Sequence, residues 1–303
     1  MTVAREVSCV IPCYHRPDFL RRAVEKLDDP RIEIVIVNSE ADPEVAEVAK
    51  PYVHIPRESS GFASGVNLAM KHVSAEYVVF MNDDLLIDVP GVLALRDTLA
   101  AGEADAVVPA IVDPTGAPEI SIRALPTTRS MLREWLLLPE RPVGWLNGRL
   151  RVEKWRDPAQ AEAIEAAGTP VMATRSDLLR TVPLLEDYFL YWEEIDWFWR
   201  LHELGMKVLY LPHVQAVHLG GGQQELSPGR SRLLTINAVK CVRRNQGRPA
   251  ARRAFLIMLL FNLRLVATAG LRRVVPGGNS ADRELESRLA GLRAMRESWQ
   301  EVR

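Results

Sequence analysis

The chain is poor in cysteine. Cys9, Cys13 and Cys241 among 303 residues offer neither zinc-site spacing nor an even set for a disulfide framework. That excludes a stapled secreted scaffold and points to a reducing, cytoplasmic compartment. An apolar leader is also lacking, since Met1 to Glu6 run directly into the first apolar stretch. No G-x-G-x-x-G follows that stretch, so the dinucleotide-binding fingerprint is absent. No run of about 20 apolar residues without interruption occurs, because Asn262 and Arg264 break the longest one. Acidic residues vanish between Leu226 and Ala281, which hold eleven Lys and Arg although the whole chain carries a formal net charge of −1. Such segregation suits a polyanionic neighbour: nucleic acid, an anionic membrane surface or phosphates. No recognised nucleic-acid module or aromatic-basic platform accompanies it, so no nucleic-acid partner is expected.

The remaining composition, 48% hydrophobic and 25% charged, supports a folded core and excludes disorder as the main state. Apolar runs alternate with helical periodicity along the first 112 residues. Strands are expected at Val7–Ile11, Ile32–Val37, Tyr52–Ile55, Val78–Met81 and Ala106–Val112. The intervening helices lie around Phe19–Leu27, Pro43–Lys50, Gly61–His72 and Gly91–Ala101. This alternation predicts an α/β fold, a mostly parallel sheet with helices on both faces. Pro126–Asp157 reads as a lid or insertion, Pro158–Ala167 as a helix and Thr169–Thr174 as a strand. Two further strands are expected at Lys207–Leu211 and Val214–His218.

The run Tyr77-Val-Val-Phe-Met81 stops at Asn82-Asp83-Asp84. In open α/β sheets ligands bind beyond the carboxyl ends of the strands. Two hard oxygen donors there can hold a divalent cation, and the cation a diphosphate; a plain Asx turn is the alternative. Tyr14, Asn38 and the Gly61–Asn67 turn fall at strand ends on the same edge. Gly61 and Gly65 let backbone amides approach an anion at a helix start, or serve only as a capped turn. A second patch, Tyr188-Phe-Leu-Tyr-Trp-Glu193-Glu194-Ile-Asp196-Trp197, sets three acids among aromatic rings. First-turn acids are common helix caps, but a carboxylate in a partly dry aromatic pocket can act as a base, and sugars stack on aromatic rings. His218 ends a strand before three glycines and is either a metal ligand or a structural histidine. Arg252–Arg273 is apolar with basic ends, which suits an interfacial helix on anionic lipid or a dimer contact. Ala281–Arg303 reads as a polar, charged helix.

These segments in this order resemble the inverting glycosyltransferases of family 2, with the GT-A fold. The resemblance runs from Val7 to about Gly222 and rests on several quoted pieces. They are Ile11-Pro-Cys-Tyr-His-Arg-Pro17, Gly61-Phe-Ala-Ser-Gly-Val-Asn67, Asn82-Asp-Asp84, Gly168-Thr-Pro-Val-Met-Ala-Thr-Arg175, Tyr188–Trp197 and Val217-His-Leu-Gly-Gly221. The chain is most similar to the bacterial rhamnosyl- and galactofuranosyltransferase branch, where Asp113-Pro-Thr-Gly116 and Ile122-Arg123-Ala-Leu-Pro126 also find counterparts. The resemblance implies a glycosyltransferase domain, assigned to residues 1–225; the charge pattern makes 226–303 a basic helical region that meets membrane or a second copy. The resemblance also implies Asp84, Asn82 and His218 at a Mg²⁺ or Mn²⁺ ion. Pro12, Tyr14, Arg16, Asn38, Gly61, Phe62, Gly65, Asn67 and Asp83 would line the nucleotide-sugar pocket. Glu194 would be the base, flanked by Glu193 and Asp196, with Gly168, Thr169 and Trp192 facing the acceptor. Three positions depart from the family pattern: Asn38 and Asn82 stand for aspartates, and Glu194 for the commoner Asp.

The implied function is transfer of a rhamnose-like deoxysugar or hexose from a nucleoside-diphosphate sugar to a glycan or polyprenyl-diphosphate-linked acceptor. That activity would sit in the cytoplasm, peripheral on the inner face of the membrane. A catalytically silent module that binds sugar nucleotides or glycans is the alternative that the three departures leave open.

Overall fold

A computed structural model describes residues 4–58, 61–119, 121–136, 158–169, 171–220, 227–273 and 281–303. Ser59, Ser60, Pro170, Gly221, Gly222, most of the expected lid (137–157) and the side chains of Arg272 and Arg273 lie outside the described residues. The chain divides into two compact units, one of residues 1–123 with 156–224, the other of residues 124–155 with 225–303.

The first unit is built on one mixed sheet. Its strands are β1 (Val7–Cys13), β2 (Ile32–Ser39), β3 (Val53–Arg57), β4 (Tyr77–Met81), β5 (Leu85–Leu86), β6 (Ala106–Val112), β11 (Val171–Arg175) and β12 (Val208–His218), in the order β3-β2-β1-β4-β11-β6-β12-β5. The short β7 (Pro118–Glu119) pairs with β6 and β9 (Glu162–Ala163) with β12, while β8 (Ile122–Arg123) and β10 (Ala166–Ala167) form a separate two-stranded ribbon. β1 and β6 are buried along nearly their whole length, as strands covered on both faces must be. Cys9 and Ile11 point into a core with Leu20 and Val24 of α1 (Pro17–Lys26), Val45 of α2 (Pro43–Ala49) and Leu95 of α4 (Val89–Ala100). On the other face Phe80 meets the Trp197 ring edge-on at 5.8 Å, which seats α7 (Glu193–Glu203), the helix after the short α6 (Ser176–Thr181), on the sheet. Each fully buried Ile or Leu in these layers contributes roughly 1.5–3 kcal/mol.

The strand positions follow the apolar runs, but the pairing differs from a simple βαβ series. β6 does not lie beside β4, because β11 inserts between them antiparallel to both. The expected helix over Pro158–Ala167 is instead two short strands. Pairing of Glu162–Ala163 with Leu209–Tyr210 and of Ala166–Ala167 with Ile122–Arg123 overrides alanine's helical preference. The two strands expected at 207–218 are one, β12, whose register slips between Leu211 and Gln215, around Pro212, which has no N–H to donate. The helix opening at Gly61 ends at Ala69 (α3, Phe62–Ala69) rather than His72.

The second unit contains α5 (Thr128–Leu136), α8 (Pro228–Arg273) and α9 (Ala281–Ser298). α5 falls within the segment expected to be irregular; Thr127 and Ser130 exchange hydrogen bonds at its start. α8 is broken at Gly247, whose φ of 80° only glycine adopts readily. Helices α8 and α9 close on a small polar core of Ser231, Thr235, Asn262 and Ser287. Gly291 permits that approach, since a Cβ there would collide with Asn262 Oδ1 and Ser231 Oγ. Among the described residues Pro228–Gly270 alone is long and apolar enough to cross a membrane, although only 28% of its most apolar window is buried in the fold.

Candidate active site

β1, β2 and β4 run parallel, so the loops after Cys13, Ser39 and Met81 open on one edge. All five non-glycine residues with positive φ among those described, His15, Glu40, Ala41, Tyr191 and Trp192, lie in loops at β1, β2 and the start of α7. Left-handed backbone at such residues is costly and collects at functional sites.

Asp83 and Asp84 close the turn after β4 and are 6% and 2% exposed. The Arg16 guanidinium lies 2.7 Å from Asp84 Oδ2 and 3.5 Å from Asp83 Oδ1, while the Tyr14 N–H donates to Asp83 Oδ2 at 3.4 Å. Asp84 Oδ1 is buried with no hydrogen-bond partner. Pairing of β12 with β5 brings His218 opposite Leu85, and the Leu219 N–H donates to the Asp84 carbonyl at 2.8 Å. His218 Nε2 then stands 3.6 Å from Asp84 Oδ2, with Nδ1 2.8 Å from Glu119 Oε2. Asn82 takes part through its carbonyl, which accepts from the Leu85 N–H. Burial pushes the Asp83 carboxyl up to about 6, against the pull of Arg16. Burial would raise Asp84 too, but His218 and Arg16 outweigh it and hold that carboxyl below its ordinary value. The hydrogen bond to Asp84 in turn draws His218 toward its charged form, aided by Glu119.

At the end of β2, Asn38 is fully buried and committed internally. Its amide donates to the Asp42 carbonyl at 2.8 Å, its oxygen accepts from the Asp42 N–H at 2.9 Å, and its nitrogen lies 3.2 Å from His54 Nε2. Asn38 therefore shapes the β2–α2 loop, and Asp42, which caps α2 and pairs with His15, carries the carboxylate there. Pro12 packs against the bare Cα of Gly65, 3.2 Å from where a Cβ would stand. Tyr14 is exposed beside it.

Gly61 has φ +92°, and a side chain there would run into the carbonyl of Phe189. The same carbonyl accepts from the Phe62 N–H at 3.2 Å. Asn67 donates to the Leu184 carbonyl and to Glu186 Oε1 at 2.8 and 2.9 Å. Asn67 and Phe62 thus fasten the glycine turn to the loop that leads into α7.

That loop delivers three acids with different surroundings. Asp196 is fully buried, accepts from Tyr188 Oη at 2.8 Å, and pairs with Arg200 Nε at 3.0 Å; its lone pairs are taken up in fixing the helix. Glu193 is 5% exposed and its Oε2 has no partner. Desolvation and the neighbouring Glu194 charge drive its carboxyl well above the ordinary value. Glu194 is partly exposed. Burial raises its carboxyl to about 7, while backbone amides of the helix start and the Arg123 charge pull the other way. Two adjacent carboxyls whose proton affinity burial raises, one of them to about 7, suit acid–base chemistry. Trp192, at the helix start, is nearly buried, and Thr169 donates to its own Val171 carbonyl at 3.0 Å. Gly168 donates its N–H to Ser121 and leaves room for the Arg123 side chain. Glu119 and Arg123 were not singled out by sequence. Only the Ile122–Pro126 segment hinted at Arg123, and Glu119 has no local signature because strand pairing alone brings it to His218.

Residues 8–144 match the family model described as Glycosyl transferase family 2. A curated relative, "Glycosyltransferase GlyA" of Streptococcus pneumoniae serotype 4 (strain ATCC BAA-334 / TIGR4), is 25% identical over 118 residues. That alignment covers 36% of this chain and 17% of the relative's own length. The family match takes in the acids at 83 and 84 and the glycine turn, and it ends before Glu193, Glu194 and His218. Together with the sheet topology it identifies the fold as GT-A.

Proposed function

We propose that this chain, whose residues 8–144 are a family 2 glycosyltransferase domain, transfers a sugar with inversion and with a divalent cation at Asp84. The observation that carries this reading is a single one. The loops that carry the two acidic pairs are joined in series: the Tyr14 N–H donates to Asp83, Pro12 packs against Gly65, and the Phe62 N–H of the same glycine turn donates to the Phe189 carbonyl in the loop before α7. Among the described residues no three His, Cys, Asp or Glu form a complete metal cage. Mg²⁺ and Mn²⁺ with a nucleotide need none, because one or two carboxylates suffice when phosphates and water complete the shell. The buried, unpartnered Asp84 Oδ1 is a hard donor of that type, and Asp84 with His218 would hold the ion. Bound there, the ion would offset the charge that develops on the departing diphosphate.

The protein's own groups do the rest. Glu194 takes the proton of the acceptor hydroxyl as that oxygen bonds to the anomeric carbon. The bond from that carbon to the diphosphate breaks, and the nucleoside diphosphate leaves with the electron pair. Glu193, whose carboxyl burial and the Glu194 charge raise, stands beside the base. Asp196, Tyr188 and Arg200 hold the helix that carries both. The resemblance to rhamnosyl- and galactofuranosyltransferases favours a deoxysugar or hexose donor and a glycan or polyprenyl-diphosphate acceptor. Incubation with a panel of nucleoside-diphosphate sugars and Mn²⁺ tests the reading. Expected are release of nucleoside diphosphate that stops with EDTA, and a product whose anomeric proton signal reports the opposite configuration to the donor. Retained configuration would refute inversion, and tight donor binding without turnover would instead establish a silent binding module.

The second unit supports a peripheral membrane location on the cytoplasmic side. Leu256, Leu260 and Leu263, spaced as one helix face, are exposed on α8 near the exposed Arg252 and Arg253. An apolar stripe beside basic side chains fits an anionic lipid surface. At about 1 kcal/mol per charge, Arg252→Gln with Arg253→Gln should weaken binding to phosphatidylserine vesicles roughly 30-fold at low salt and less at high salt. Unchanged sedimentation with vesicles would leave a contact between two copies as the use of that face.

A further inference from the structure

We infer that Arg16 is a placeholder cation for the metal, and that its departure from Asp84 couples metal binding to donor binding. The inference rests on the metal-dependent reading above. Its starting point is one carboxylate with two claimants, Oδ2 already bonded to Arg16 and Oδ1 free for an ion beside it. Asp84 Oδ2 accepts from the Arg16 guanidinium at 2.7 Å, and a divalent ion held by Asp84 needs the same carboxylate. Both acids are almost wholly buried, and uncompensated buried charge is costly. Arg16 shares that compensation with His218 at Asp84 and is the cation that reaches both acids.

The side chain is placed to move. Arg16 sits in the loop between β1 and α1, at the N-cap position of α1, with no side-chain capping bond to break. Its side chain is 38% exposed, against 3% for that of Asp84, and its guanidinium lies 5.7 Å above the Phe19 ring. A doubly charged ion at Asp84 repels the guanidinium from that oxygen. The planar fork of five N–H donors matches phosphate oxygens, which accept two of them at once. A diphosphate arriving with the ion therefore gives Arg16 a new anion while the ion takes Asp84.

The consequence is reciprocal. Metal alone must displace Arg16 and binds weakly; diphosphate draws Arg16 away and strengthens metal binding, and metal strengthens diphosphate binding by the same factor. Calorimetric titration of Mn²⁺ into the whole protein, with and without pyrophosphate or UDP, measures that factor directly. For wild type, coupling within the usual range of about 5–150-fold is expected. Arg16→Met keeps the stem packed on Phe19 and removes the charge. It should bind Mn²⁺ alone about tenfold more tightly, bind pyrophosphate more weakly, and lose most of the coupling. Arg16→Lys, a point charge without the fork, should fall between the two and serves as the test if the methionine variant fails to fold. Mn²⁺ affinity in the absence of diphosphate that does not rise in Arg16→Met, or coupling that survives there intact, overturns the placeholder role. Wild type that takes up no Mn²⁺ even with UDP overturns the metal reading itself, and the inference with it.

Discussion

Glu194→Gln should lower turnover by roughly 10²- to 10⁴-fold, the usual loss when a general base is removed, while donor affinity stays close to wild type. The amide keeps the size and reach of the side chain but cannot take a proton. The pH profile supplies the sign. Burial raises the Glu194 carboxyl to about 7, so the base is protonated and inactive below that pH, and wild-type kcat/KM should rise with pH through it. In the variant that rising limb should disappear along with the rate. Glu193→Gln should cost much less, because Glu193 has no proton to transfer in the proposed mechanism and the amide keeps the size of the side chain. Asp196→Asn should show itself chiefly as a lower Tm, since it weakens a buried pair with Arg200. A Glu194→Gln enzyme of near wild-type turnover beside a dead Glu193→Gln would move the base by one residue. Single-turnover rates with excess enzyme distinguish these outcomes from slow product release.

Asp84→Ala should abolish the part of donor affinity that depends on Mn²⁺. Losing a group that only orients a metal ligand typically costs about 10- to 100-fold, so the loss of a direct ligand should reach at least about 100-fold. The fold should survive. The Leu219 N–H bonds the Asp84 backbone carbonyl rather than its side chain, and Arg16 already has Asp83 3.5 Å away as a second partner. Thermal unfolding near wild type, together with isothermal titration of UDP with and without Mn²⁺, checks both halves. Full Mn²⁺-dependent affinity in this variant would remove Asp84 from the site. Asn82→Asp should leave that affinity unchanged or tighten it, because it adds a hard anionic donor beside the turn.

Much of the fold is legible in the apolar runs. Ala106–Val112 stands out because a strand buried on both faces must be apolar at every position, and the Tyr77–Met81 run ends where the acids begin for the same reason. What periodicity does not carry is the order of strands. Nothing local in Val171–Arg175 says that it lies between β4 and β6, or that it runs antiparallel to both. Short edge pairs such as Glu162–Ala163 are invisible because two residues show no period, and pairing energy from a distant strand decides their state. The candidate site divides along the same line. Asp83, Asp84, Glu193 and Glu194 are marked by acids placed where apolar runs stop. Glu119, Arg123 and the inward commitments of Asn38 and Asn67 depend on partners from 4 to 119 residues away, which only the assembled sheet brings close.

The carbonyl of Phe189 is a shared hinge pin. It leaves no room for a side chain at Gly61 and accepts the amide of Phe62, so the glycine turn and the loop before α7 are cut to one another. Under the proposed function, donor preference and acceptor preference should therefore not behave as independent modules. A chimera that imports residues 184–192 from an enzyme with another acceptor must import residues 61–67 from the same source. Grafting either segment alone leaves a mismatched seam beside the reacting carbon.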